Sequence, residues 1–347
     1  MPVSDGVGTT RREILGVALS TAGALLVGCV GGGQSSSKPS PAPSPGPVET
    51  KTLRIGAPPV CDAAYFMADR YLRDEGFTDI QFVKGDASQT MAGGAADITS
   101  FFPSRLAAEI DAGTPVVALA GLHVGCVGLF AQPGIRDVAG LRGKTIMVRK
   151  KDPREFTFAF PVVTLLNAGI DPSHDVNIVE APSDADMLKL FRDGKTDAFT
   201  TAVVQMDALR AEGKFAMLVD YTTDAPWSGH HCCLVTATRS FVEMSPNAAR
   251  RALRAILRAN VEAASDPSRG VRAMVDAGFS NQYDAVLAHD RTLPYASWRT
   301  VDPEVGVRFF AERLQQAKVV ASSGDQVVRK GTDWSLLRMA KQELPGP

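Results

Sequence analysis

The sequence predicts an α/β protein of two similarly built lobes, each with a parallel-dominated sheet, and three observations carry that expectation. Strand-like runs alternate with helical ones from Thr52 onward, the pattern of a parallel sheet with helices on both faces. A short segment, Gly94-Ala95-Ala96-Asp97-Ile98-Thr99-Ser100, returns as Gly194-Lys195-Thr196-Asp197-Ala198-Phe199-Thr200. Each copy leads into a helix closed by a glycine, Gly113 or Gly213, and then a strand, so turn, strand, helix and strand recur in one order. The 347-residue length and 45% hydrophobic content are enough for two packed units of ordinary size.

The first stretch with a distinct signature runs from Thr10 to Cys29. Arg11 and Arg12 precede an interrupted apolar run, Ile14 to Val27, that contains Gly16, Ser20, Thr21 and Gly23. Paired arginines before a short apolar run read as a twin-arginine export signal, and a bilayer core needs about 20 apolar residues to span it. The run ends in Leu26-Val27-Gly28-Cys29, which resembles the bacterial lipobox. Residues 1–28 are therefore expected to be removed and Cys29 to become the lipidated N-terminus, anchoring an extracytoplasmic protein to the membrane. Residues 29–50 hold Gly31-Gly32-Gly33, Ser35-Ser36-Ser37 and a Pro/Ser alternation. Such a composition buries too little apolar area to offset its lost entropy and reads as a tether, roughly 60 Å long in polyproline-like form. With 37 basic and 38 acidic residues the net charge is −1, which gives no bulk attraction to nucleic acid.

In the first lobe, Leu53-Arg54-Ile55-Gly56-Ala57 reads as a strand ended by Pro58-Pro59. Asp62 is placed to cap a helix from Ala63 to Glu75, closed by Gly76. Ile80 to Val83 is the next strand, Asp97 to Ser100 the third, and Val116 to Ala120 the fourth, after a helix opening at Pro103. Ligands of such sheets sit past the carboxyl ends of the strands, which gathers Cys61, Tyr65, Ser88, Gln89, Ser100, Phe101, Phe102 and His123 at one mouth. For Phe101 and Phe102 a core role stands equally open.

In the second lobe, Leu141-Arg142-Gly143-Lys144-Thr145 turns into the strand ending at Val148. Asp152-Pro153-Arg154-Glu155 has the cap, the first-turn proline and the returning glutamate of a helix start. Free N–H groups there, with Arg149, Lys150, Lys151 and Arg154, offer a seat for an anion, unless Asp152 already occupies the donors or the charges are only solvated.

These residues resemble the solute-binding proteins of bacterial ABC importers, in the branch that binds nitrate, sulfonates, taurine and thiamin-pyrimidine precursors. The likeness runs from about Thr52 to Glu343 and rests on Leu53-Arg54-Ile55-Gly56, Gly94 to Ile98, Leu141 to Thr145, Ala168-Gly169-Ile170-Asp171-Pro172, Asp197-Ala198-Phe199 and Ser245-Pro246. It implies a periplasmic-binding-protein fold of type II, with two Rossmann-like lobes joined by a two-strand hinge. The first lobe would comprise residues 51–130 and 230–347, and the second 131–229. It also implies a small-molecule ligand, an ABC permease as partner, a monomer, no cofactor and no catalysis. A thiamin-pyrimidine synthase on the same fold and a sensory lipoprotein are the alternatives.

Trp227 to Val235 would be the return strand, lying beside the outgoing one at His123 to Phe130, as the resemblance implies. Ser245-Pro246, Asp302-Pro303-Glu304 and Asp333-Trp334 open helices of a tail that packs on the first lobe. Cys61, Cys126, Cys232 and Cys233 remain after Cys29; an even count in an exported chain favours disulfides. Cys126 with Cys232 or Cys233 is the preferred bridge, and alternation along a strand would let only one of the pair face it. His230, His231, Cys232 and Cys233 also carry metal-ligand chemistry, but adjacent strand residues diverge, so no metal site is expected. Ligand stacking would fall to Tyr65, Phe102, Phe156 or Trp227, and polar selection to Ser88, Gln89, Ser100, Thr200 and Thr201.

Overall fold

The computed structural model describes residues 46–59 and 61–344; the export signal, Cys29 and most of the tether lie outside the described residues. Among the described residues, ten strands form two five-stranded sheets. They are β1 (Thr52–Gly56), β2 (Asp79–Val83), β3 (Ile98–Phe101), β4 (Val116–Gly121), β5 (Val127–Ala131), β6 (Thr145–Val148), β7 (Asn177–Glu180), β8 (Ala198–Ala202), β9 (Ala216–Asp220) and β10 (Leu234–Thr238). One sheet has the order β2-β1-β3-β10-β4 and the other β7-β6-β8-β5-β9. In each, one strand is antiparallel to its neighbours: β10 in the first and β5 in the second. Each lobe thus takes its antiparallel strand from the chain that has just crossed into it.

The echoed segments occupy equivalent places. β3 and β8 both lie between the lobe's first strand and its antiparallel one. The aspartate before each strand does the same work. Asp97 accepts the Arg54 amide at 2.8 Å while its own amide returns to the Arg54 carbonyl. Asp197 accepts the Thr145 amide at 2.8 Å, and its amide returns to the Thr145 carbonyl. A buried backbone donor needs a partner, and the repeated Asp supplies one to the first parallel strand of each sheet, at Arg54 in β1 and Thr145 in β6.

Helices follow in chain order: α1 (Ala63–Met67), α2 (Asp69–Asp74), α3 (Ala87–Ala92), α4 (Pro103–Asp111), α5 (Phe156–Asn167), α6 (Asp184–Arg192), α7 (Val203–Glu212), α8 (Arg239–Met244), α9 (Pro246–Ala263), α10 (Ser268–Asp276), α11 (Tyr283–Asp290), α12 (Pro303–Gln316), α13 (Gly324–Gly331) and α14 (Ser335–Glu343). α4 and α7 end at Gly113 and Gly213, both at positive φ, as the sequence requires. α9 starts at Pro246 as expected and buries Leu253, Ile256 and Leu257 against the first lobe. None of the described helices is long and apolar enough to cross a membrane.

Three expectations about element ends need correction. The helix after Asp62 is broken at Ala68, and Asp62 makes no capping bond, because its carboxylate is held by His123 instead. The helix at Asp152-Pro153-Arg154-Glu155 begins a turn later, at Phe156, because Asp152 Oδ1 closes a local turn by accepting the Arg154 amide. The crossing between lobes falls at 122–126, earlier than the expected boundary at 130, since β5 is a strand of the second sheet.

The return crossing, 221–233, lies beside the outgoing one. Leu122 donates to the Cys233 carbonyl at 2.9 Å, Cys232 donates to the His123 carbonyl at 3.0 Å, and Val124 bridges His231. Trp227–Gly229 is a turn of 3-10 helix, so the regular strand begins only at Leu234. The tail packs on the first lobe, where Asp333 donates to the Ala118 carbonyl at the edge strand β4. It also reaches the second lobe through Phe310 of α12, which meets Phe160 of α5 with ring centroids 5.0 Å apart.

Candidate functional site

The two lobes face each other across a cleft that side chains close at both sides. On one side Phe102, just before α4, packs on Phe156 and Phe160 of α5 at 5.5 and 5.7 Å. Arg154 reaches back to Glu109 of α4 at 2.6 Å, and Arg105 donates to the Arg154 carbonyl at 3.2 Å. On the other side His289 of α11 meets Asp207 of α7 at 2.9 Å.

Burial pushes Asp207 up, but the hydrogen bond and charge of His289, with Arg210 beside it, win and hold it below the usual carboxylate range. A carboxylate depressed on folding contributes its stability above its ordinary pKa, about 3.9, and loses it as the pH falls through the lower folded value. Asp207→Asn is therefore expected to cost about 1 kcal/mol at neutral pH and to flatten the acid limb of stability below about pH 4. Urea midpoints across that range test this; an unchanged acid limb would sink it.

On the α4–α5 side lies an open cavity of about 420 Å³, lined by Asp86, Ser88 and Gln89 of the first lobe with Arg105 and Glu109 of α4, and by Lys150, Asp152, Arg154 and Glu155 of the second, together with Ala92 and Thr114. Two of the expected polar residues, Ser88 and Gln89, thus meet two of the expected cations. Ser88 Oγ is buried and makes no hydrogen bond. Three basic side chains face four acidic ones here, and the cations are already paired: Arg154 with Glu109 and Asp152, Arg105 with Asp86, and Lys150 with Asp152. The anion seat expected from the basic run is therefore occupied by the protein's own carboxylates. Arg149 turns away, donating to the Ala181 carbonyl at 3.0 Å.

The other expected residues are distributed between packing and a buried polar centre. Tyr65 is fully buried and its hydroxyl donates to the Thr99 carbonyl at 2.7 Å, so it belongs to the first-lobe core. Phe101 is buried, with the Arg105 guanidinium 5.7 Å above its ring. Trp227 sits among Tyr221, Phe309 and Phe310. Thr201 donates to Gln205 at 2.7 Å, whereas the buried Thr200 hydroxyl has no partner.

His123 belongs to the centre that lies where the crossovers meet the first lobe. Its Nδ1 donates to the Val124 carbonyl at 3.2 Å and its Nε2 lies 2.9 Å from Asp62 Oδ1, both groups fully buried. Burial alone would lower its pKa; interaction with the neighbouring Cys233 sulfur and the bond to Asp62 reverse this and hold the imidazole well above its ordinary value. Asp62 Oδ2 is left without a partner, and Ser100 lies beside it. Nearby, Asp290 accepts from the Tyr295 hydroxyl at 3.0 Å, and burial, with Cys61 adding, holds it well above the carboxylate range. Sequence reasoning missed Asp62 and Asp290 as members of this centre; both sit at helix ends, where an Asp has an ordinary explanation.

All four described cysteines are free and buried at this same place. Cys126 does face Cys232, with sulfurs 2.7 Å apart, but the two are not bridged. The expectation that only one of Cys232 and Cys233 could face inward fails, because both precede β10 in irregular backbone and their sulfurs are 3.3 Å apart.

The strand order, the paired crossovers and the interlobe cavity define the type II periplasmic-binding-protein fold, and comparison with known proteins agrees. Residues 68–270 match the family described as NMT1/THI5 like, and the chain belongs to that family. Among solved structures it is similar to the periplasmic nitrate-binding protein NrtA from Synechocystis PCC 6803, with 14% identity over 87% of this chain and 91% of that one and a TM-score of 0.70. It is also similar to the alkanesulfonate-binding protein SsuA from Xanthomonas axonopodis pv. citri bound to MOPS, with 14% identity, coverage of 83% and 99%, and a TM-score of 0.65. The desulfurization enzyme DSZB shares the fold at 15% identity, coverage of 84% and 99%, and a TM-score of 0.60. No curated protein sequence matches.

Proposed function

We propose that the protein is an extracytoplasmic solute-binding protein, held to the membrane by lipid on Cys29, that captures a small organic solute between its lobes and delivers it unchanged to an ABC importer. The observation that supports this reading is the cleft: two lobes of one strand order, between which the described chain passes twice, with a polar cavity walled from both sides. A solute that touches both walls binds the closed form better than the open one, so closure and capture are one equilibrium.

Charge narrows the candidates. A wall with three basic and four acidic side chains, its cations already paired, suits a zwitterion or a neutral amine-bearing ring better than a bare anion. Taurine-like aminosulfonates and aminopyrimidine precursors therefore rank above nitrate. Ser88, Gln89, Arg154 and Glu155, which line the cavity, would touch such a ligand.

Calorimetry and thermal shift against taurine, alkylsulfonates, formylated aminopyrimidines and nitrate test the proposal. Taurine or a formylated aminopyrimidine should bind with a micromolar constant, about 8 kcal/mol, and stabilise the fold by about 2.7 kcal/mol at a hundredfold excess over that constant, ahead of alkylsulfonates and nitrate. No stabilisation by any of them, or chemical conversion of the one that binds, would end this reading.

A further inference from the structure

Cys61, Cys126, Cys232 and Cys233 reach one point from three separate stretches of chain. Cys61 follows β1, Cys126 ends the outgoing crossing at a φ of 70°, and Cys232 with Cys233 ends the return crossing. Their sulfurs lie within 4.8 Å of one another and all four residues are buried. Cys61 to Cys233 is 3.8 Å, Cys232 to Cys233 is 3.3 Å and Cys126 to Cys232 is 2.7 Å. Four sulfurs around a tetrahedral zinc-class ion, with metal–sulfur bonds of about 2.3 Å, stand about 3.8 Å apart. Cys61 and Cys233 already stand that far apart, and the Cys232–Cys233 and Cys126–Cys232 separations would have to widen by about 0.5 and 1 Å.

We propose that these four cysteines form a closed, four-thiolate site for one divalent ion of the zinc class, which pins both crossovers to the first lobe. Burial as small apolar groups would account for any one of them. It does not account for the mutual convergence of all four, and separate disulfides would require only pairwise approach. Sulfur donors alone select a soft or borderline ion over magnesium or calcium. With every position filled by protein and none open to solvent, the ion would be structural and neither cargo nor catalyst.

Binding displaces four thiol protons to solvent for each divalent ion, which leaves the centre with a charge of −2. His123 is placed to support it from outside the sulfur shell, with Nδ1 4.0 Å from Cys232 Sγ and Nε2 held by Asp62. The site stands apart from the interlobe cavity, so it holds or fails independently of which solute that cavity takes.

Titration of the full, reduced chain with Co2+ alone, followed by displacement with Zn2+, tests the site. One equivalent should produce a thiolate charge-transfer band and the intense visible bands of tetrahedral cobalt, and zinc should abolish both. Cys61→Ser and Cys233→Ser should lose the four-sulfur spectrum, and Cys29→Ser should keep it. His123→Ala should weaken binding by about 10-fold with the tetrahedral bands retained. Because the cysteine variants could unfold, thiol accessibility is measured in the parent chain as well: zinc should protect four thiols and a chelator should release them. Absence of cobalt bands in reduced, folded protein would overturn the proposal, as would metal-free protein whose mass shows disulfides between these residues. Bands that survive Cys126→Ser but vanish in His123→Ala would overturn it in favour of a mixed site with Asp62.

Discussion

Arg154→Ala is expected to lower stability by about 3 kcal/mol and to release the α4–α5 side of the cleft. Glu109 is only 2% exposed at its side chain and is held by Arg154 at 2.6 Å and by the Thr114 hydroxyl at 2.6 Å. Removing the guanidinium leaves a buried carboxylate with one neutral donor, and an uncompensated buried charge costs about 3–5 kcal/mol. Arg154 is itself a third exposed, which places the cost at the lower end. The effect should therefore belong to the orphaned charge more than to the lost contact. Glu109→Gln added to Arg154→Ala should recover most of the loss in urea denaturation, because a neutral amide tolerates that site. If the double variant is as unstable as the single one, the ion pair is not what closes this side.

The same pair explains how far the sequence could be read. Alternating elements and the echoed Asp97 and Asp197 are local signals, and the structure gives both aspartates one task at the start of equivalent strands. Glycines at helix ends are equally local, since a positive φ excludes most other residues. Residues with two partners were harder. Asp62 has the sequence of a cap, but its partner is His123, brought near only when the crossover folds onto the first lobe. The basic run at Arg149 to Arg154 has the sequence of an anion seat, but Glu109, far back in the chain, takes Arg154, and Asp152 takes Lys150. A regular strand would turn Cys232 and Cys233 to opposite faces, but the backbone enters one only at Leu234. In each case the residue type was legible and the competing partner was not, because long-range pairing leaves no periodic trace.

The hinge carries the second large effect. Gly121→Ala is expected to destabilise the protein by about 3 kcal/mol, because a Cβ at this position would stand 2.4 Å from Cγ, Nδ1 and Cε1 of His231. Contact with three ring atoms at one distance means the ring lies flat over the glycine. His231 cannot swing aside easily: it is 1% exposed and its backbone bridges Val124 in the outgoing crossing. The backbone can yield little as well, since Gly121 pairs with Leu234 where β4 and β10 meet the two crossovers. Adding His231→Ala should restore much of the lost stability, as the ring is the atom group in the way. Burial, with the charge of His123 behind it, lowers the His231 pKa to about 3, so the ring is neutral and the cost should be the same between about pH 5 and pH 8. Denaturation midpoints of the two single variants and the double at both pH values complete the cycle. A cost that varies with pH, or that persists without the ring, would show that Gly121 is needed for backbone freedom and not for the space His231 fills.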